Sequence, residues 1–127
     1  GLFGLPDLTF QQIVGYVFQP IMYLIGVPWE EANIAGGLFC TKVVLNEFVA
    51  FIDLGAMSDL SARTTAIVTF ALCGFANFGS IAIMIGGIGG IAPERRGDLA
   101  RLGLKAMLAG AFASWLTACI AGLLTPA

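Results

Sequence analysis

The sequence predicts an all-α membrane protein, and three observations carry that reading. The chain is 58% hydrophobic and only 11% charged, with a mean hydropathy of +0.93, whereas an ordinary soluble domain carries about 25% charge. Its charges are gathered at short boundaries between long uncharged runs, the pattern of helical spans joined by loops. Within two of those runs polar residues sit far from either boundary, where a lipid surround makes them costly. A chain of 127 residues suits one unit, with too small an interior to hide this much apolar surface from water.

The same composition excludes several classes. Six basic and eight acidic residues give a net charge of -2, so no basic surface points to nucleic acid. There is no His, which removes the usual proton shuttle and the commonest metal ligand. Cys40, Cys73 and Cys119 each lie in an apolar stretch and read as small packing residues, not as a disulfide frame. The opening GLFGLPDL has neither an initiator Met nor a basic region, and reads as a cut through a longer chain and not as a signal peptide.

The first element is residues 1–29. No charge lies between Asp7 and Glu30, and the run is long enough to span. Gln11, Gln12, Gln19 and Pro20 allow an interfacial or kinked helix instead, and both readings stand. Pro28, Glu30 and Glu31 then mark a boundary and a favourable acidic first turn for the next helix.

The second element, residues 30–57, holds TKVVLNEFVAF, in which Lys42, Asn46 and Glu47 interrupt an apolar run. A carboxylate at mid-depth costs about 2.5–3.5 kcal/mol on insertion scales. Either Lys42 and Glu47 neutralise one another, or Glu47 meets a ligand. Their spacing of five suits a continuous helix poorly, since three or four is best. A break between them brings them together or aims them at different targets, with Asn46 as a helix cap at the break.

The third element, residues 64–92, carries no charge. As one helix it would cover about 43 Å, against roughly 30 Å of hydrocarbon. Tilt absorbs the excess in one reading. In the other the helix breaks at CGFANFGS, where Gly74, Asn77 and Gly79 all disfavour helix. Backbone groups freed at that depth need a protein or cavity surround, as in the broken helices of transporters.

PERRGDLARLGLK follows, with four of the six basic residues. The positive-inside rule places this loop in the cytoplasm, so the last element, residues 98–124, runs outward and the C-terminus lies outside. Ala106, Gly110, Ser114, Ala118 and Gly122 recur every four residues, with Ala109, Ala113, Thr117 and Ala121 as a second small stripe. Small stripes allow close helix approach in lipid, so this is a packing helix, with Leu108, Phe112, Trp115 and Leu123 facing away.

TKVVLNEFVAF, FALCGFANFGSIAI and APERRGDLARLGLKAMLAG in that order, with GVPWEEA before and ACIAGLL after, resemble the concentrative nucleoside transporters over nearly the whole chain. The resemblance implies a trimeric secondary transporter of nucleosides driven by sodium or protons, multi-pass in the plasma or inner membrane and surrounded by lipid. It implies two inverted halves, each with a re-entrant helical hairpin and a discontinuous helix, of which this chain supplies the second. Residues 30–57 become the hairpin, entering from the outer side, residues 64–92 the broken transmembrane helix and residues 98–124 the last span. Carried over residue by residue, Glu47 accepts hydrogen bonds from ribose hydroxyls, Asn77 and Ser80 contact the sugar, and Phe75 packs against the nucleoside. No cofactor is implied, and the coupling Na+ or H+ is expected to bind in the absent first half. The chain alone then holds only the sugar side and transports nothing.

Two other classes compete. A structural membrane subunit without its own ligand fits the small stripes but leaves Glu47 and Asn77 without a purpose. An intramembrane enzyme needs a second buried acid, an activated nucleophile or a metal beside Glu47. The reading adopted is therefore a non-enzyme.

Overall fold

The computed structural model describes residues 9–126, so the GLFGLPDL opening lies outside the described residues. Helix α1 (Phe10–Ile25) begins at a capping box: Gln12 N donates to Thr9 Oγ1 at 3.2 Å and Thr9 N donates to Gln12 Oε1 at 2.9 Å. It continues through Pro20 and ends at Gly26, whose φ of 117° is left-handed. Gly26 N donates to the Tyr23 carbonyl and Val27 N to that of Met22, closing a Schellman end that a residue with a Cβ would strain.

The chain turns at Val27 and Pro28 into α2 (Trp29–Val44), and the two axes are bent by 117°. Glycines bring α1 and α2 close. A Cβ at Gly36 would lie 2.6 Å from the Gly15 carbonyl oxygen, and one at Gly15 would lie 2.7 Å from that of Asn33. Helix α2 stops at Leu45. Asn46 caps α3 (Glu47–Ala56), its Oδ1 accepting from Val49 N at 3.0 Å, and α3 packs back on α2 as a helical hairpin.

The 64–92 run is interrupted, so tilt is not how this stretch is accommodated. Helix α4 (Ala62–Leu72) ends before an irregular Cys73–Ala76 segment, and α5 (Phe78–Ile91) starts again behind Asn77. Gly74 has φ 101°, the other left-handed glycine. After a short 3₁₀ turn at Pro93–Arg95, α6 (Arg96–Leu124) runs unbroken. Among the described residues, α6 with its leading turn is the one helix long and apolar enough to cross a membrane alone, while α1 and α2 reach that length only as a bent pair. The architecture is that of an all-α membrane protein with a helical hairpin, a broken helix and a final long helix.

Met22, Val27, Phe39, Ile67, Val68 and Leu72 form the centre of the core. Helix α6 packs on the broken helix: of its stripe, a Cβ at Gly110 would meet Ala76 at 3.3 Å and one at Gly122 would meet Ile67 at 3.0 Å, and outside the stripe one at Gly103 would meet Ile81 at 2.7 Å. The second stripe is exposed apart from Ala121. Trp115 departs from the expectation that it faces away. Its ring lies 5.2 Å from that of Phe39, which in turn contacts Phe18 at 5.2 Å. A rim of polar bonds ties the other end together. Arg63 donates to the Gly26 carbonyl at 3.1 Å and the Thr125 carbonyl at 2.8 Å, serving the C-terminal ends of α1 and α6 at once.

Candidate functional site

Two interruptions, at Leu45–Asn46 and at Cys73–Asn77, place four helix ends near one another. Each end leaves backbone groups without intrahelical partners. The starting ends of α3 and α5 are both capped by asparagine. Asn46 Oδ1 serves α3, and Asn77 Oδ1 accepts from Ser80 N at 2.7 Å. Such a cap contributes about 1 kcal/mol each.

Asn77 does more than cap. Its side-chain Nδ2 donates to Glu47 Oε2 at 3.0 Å, across thirty residues of sequence. The bond joins the first turn of α3 to the cap of α5. Glu47 therefore sits where two helix dipoles present their positive ends, which offsets part of the cost of a carboxylate in apolar surroundings. Asn77 is 3% exposed, its Oδ1 accepting from Ser80 N and its Nδ2 giving one of two hydrogens to Glu47, while Glu47 is half-buried with Oε1 unpartnered among the described residues. Ser80 lies one turn into α5, and its hydroxyl makes no hydrogen bond among the described residues. Phe75, 76% exposed, stands on the segment between α4 and α5.

The four residues singled out by the sequence divide as follows. Glu47 and Asn77 are in direct contact, Ser80 is bound to Asn77 through its backbone, and Phe75, Asn77 and Ser80 line one cavity of about 250 Å³ backed by Met107 and Gly110 of α6. Glu47 is not among the cavity-lining residues and reaches it through Asn77. A larger open cleft of about 950 Å³ lies at the Arg63 rim. Arg63 is already bonded to two carbonyls there, so that cleft offers little free polar chemistry.

Lys42 does not pair with Glu47. It is 0% exposed, and its Nζ donates to the Ala71 carbonyl at 2.9 Å and the Cys73 carbonyl at 3.3 Å. The same ammonium lies 5.2 Å from the centroid of the Phe39 ring. The break thus aims the two charges of the motif at different targets: the cation at the carbonyl end of α4, the anion at the amide ends of α3 and α5. Sequence reasoning missed this use of Lys42, and missed Ser114, whose hydroxyl donates to the Cys73 carbonyl at 2.7 Å. The last-turn position of Lys42 pointed only to the carbonyls of its own helix, α2, and not to those at the end of α4. Ser114 carried no signal beyond its place in a stripe of small residues. Among the described residues no cluster of Cys, Asp or Glu has metal-ligand geometry.

The comparisons with known proteins agree with one another. The family model described as "Na+ dependent nucleoside transporter C-terminus" matches residues 1–122. The "Uncharacterized transporter YutK" of Bacillus subtilis (strain 168) is 59% identical over 97% of this chain and 31% of its own length. The "Putative nucleoside permease NupX" of Escherichia coli (strain K12) is 42% identical over 96% of this chain and 30% of its own. A solved structure described as CNTnw in an inward-facing substrate-bound state superposes with a TM-score of 0.87 at 51% identity, covering 98% of this chain and 32% of that one. The chain thus spans about a third of the length of these relatives. The chain belongs to the concentrative nucleoside transporter family and corresponds to the C-terminal region of its members.

Proposed function

We propose that this chain is the ribose-binding part of a cation-coupled nucleoside symporter. The observation that carries the reading is the Asn77–Glu47 bond, which fixes one carboxylate oxygen and leaves the other unpartnered between two helix N-termini. A carboxylate accepts from both hydroxyls of a vicinal diol, an amide and a hydroxyl beside it extend the set, and an exposed aromatic ring gives the base or sugar an apolar face. Glu47, Asn77, Ser80 and Phe75 supply these groups. The coupling ion, Na+ or H+, binds in a part of the transporter outside this chain, and the family model's description favours Na+.

The whole transporter is a homotrimer and multi-pass in the cell membrane. Residues 30–57 re-enter from the outer side, residues 64–92 cross as a broken helix and residues 98–124 as the last span. Arg95, Arg96, Arg101 and Lys105 face the cytoplasm and the C-terminus lies outside, in line with the positive-inside rule. The test is Glu47→Gln in a transporter of full family length that carries this sequence. Losing a charged acceptor for a buried hydroxyl costs about 1.5–3 kcal/mol, so uridine uptake falls by roughly 10- to 100-fold while membrane insertion is unchanged. Uptake at the unsubstituted rate rejects the assignment.

A further inference from the structure

The sugar site gives no reason for Lys42. A side chain that reaches a substrate has an open face, and Lys42 has none: it is 0% exposed. Its surroundings are backbone oxygen and an aromatic ring. The Ala71 and Cys73 carbonyls accept from Nζ at 2.9 and 3.3 Å, and the Phe39 ring covers it at 5.2 Å. Lys42 forms no ion pair among the described residues.

The Ala71 carbonyl is one that α4 leaves over when it stops at Leu72, and the Cys73 carbonyl is the first beyond the helix. The chain then runs through Cys73 with ψ 135° and turns at Gly74 with φ 101° before reaching Asn77. The Cys73 carbonyl takes a second donor, the Ser114 hydroxyl at 2.7 Å, so α2 and α6 both grip the first residue of the segment. The Phe39 ring is held in turn by Phe18 and Trp115 at 5.2 Å each, which fixes the third wall of the ammonium's surround. Carbonyl oxygens at a helix C-terminus with an aromatic face beside them are the groups that favour a monovalent cation.

The geometry points to Lys42 as a tethered monovalent cation that sets the Cys73–Asn77 segment, and through it the Asn77–Glu47 pair, so that Lys42 is a positioning residue for the sugar site. Because the charge is covalently attached, this side of the site is organised whatever ions are in solution. The inference rests on the ribose-binding reading above.

The test uses the full-length transporter in proteoliposomes and initial rates of uridine uptake. Lys42→Met keeps the bulk and removes the charge. Its KM is expected to rise about 10-fold with the maximal rate within about two-fold, because binding geometry and not turnover is altered. Lys42→Ala has the same defect, and millimolar n-propylammonium, which replaces the atoms removed, lowers its KM by about three-fold or more while leaving the unsubstituted protein and Lys42→Met unaffected. A simple packing role does not respond to an added amine. An unchanged KM in Lys42→Met, or no response of Lys42→Ala to the amine, overturns the proposal.

If both Lys42 variants fail to insert, Ser114→Ala takes their place. It removes the other donor to the Cys73 carbonyl, and KM is expected to rise about three-fold at constant maximal rate. An unchanged KM again overturns the proposal. Glu47→Gln, run in parallel, separates the two readings. Loss of uptake there with a normal KM in Lys42→Met sinks the tethered cation alone, whereas normal uptake in Glu47→Gln sinks the sugar site and this inference with it.

Discussion

Lys42 and Glu47 stand five residues apart in one apolar run and are treated by the fold in opposite ways. Lys42 is fully enclosed, with two carbonyls and a ring around its ammonium. Glu47 is half-buried, with one oxygen bonded to Asn77 and the other unpartnered among the described residues. Both charges sit at helix ends of the complementary sign, which is how each is tolerated in apolar surroundings. The difference teaches that the two sides of the break are satisfied to different degrees. The carbonyl end is satisfied from within, and the amide end keeps capacity in reserve.

The comparison is broken most severely at Asn77, which serves both purposes. Asn77→Ala removes the α5 cap and the bond to Glu47 together. The cap alone costs about 1 kcal/mol, and loss of the second bond is expected to bring the fall in uridine uptake to about 100-fold. Uptake within a few-fold of the unsubstituted protein would show that the pair does not hold the site. Gly74→Ala comes next. A Cβ at φ 101° costs about 1–2 kcal/mol, paid at the segment that carries Phe75 and Asn77, so KM rises and the protein melts earlier in detergent.

Asn46→Ala sharpens the contrast, because Asn46 caps α3 without touching Glu47's carboxylate partner. A loss of about 1 kcal/mol in thermal stability is expected, with Asn46→Asp close to neutral and KM changed less than in Asn77→Ala. The smallest effect on transport belongs to Arg63, far from the breaks in its bonding partners. Arg63→Gln unties the carbonyls of Gly26 and Thr125 and lowers the melting temperature, while KM for nucleoside stays at its unsubstituted value. A KM shift in Arg63→Gln equal to that in Asn77→Ala would erase the distinction between rim and site.

Much of the fold was legible because the apolar runs and their interruptions are local signals. Gly74, Asn77 and Gly79 in one uncharged stretch marked the place where α4 gives way to α5, and Asn46 was recognisable as a cap before Glu47. The docking role of the α6 stripe was also readable, since Gly110 lies against Ala76 of the break and Gly122 against Ile67 of α4. The partners of Lys42 were not readable. They are backbone carbonyls 29 and 31 residues away, and a carbonyl carries no side-chain signature in sequence. Trp115 was misplaced for a similar reason: its neighbour Phe39 lies on α2, and a contact between distant helices is not set by spacing along either one. The roles given to Glu47, Phe75, Asn77 and Ser80 came from the resemblance. What the structure adds is which of them touch.

The most direct measurement combines the carboxylate with the group it is held to recognise. Binding of uridine and of its 2′-deoxy and 3′-deoxy analogues is compared in the full-length transporter and in Glu47→Gln. In the unsubstituted protein each missing hydroxyl is predicted to weaken binding by about 10-fold or more, and in Glu47→Gln that penalty shrinks to near two-fold, because the acceptor that rewarded the hydroxyl is gone. Deoxy penalties of the same size in both proteins would contradict the account, since the sugar would then be read somewhere other than at Glu47.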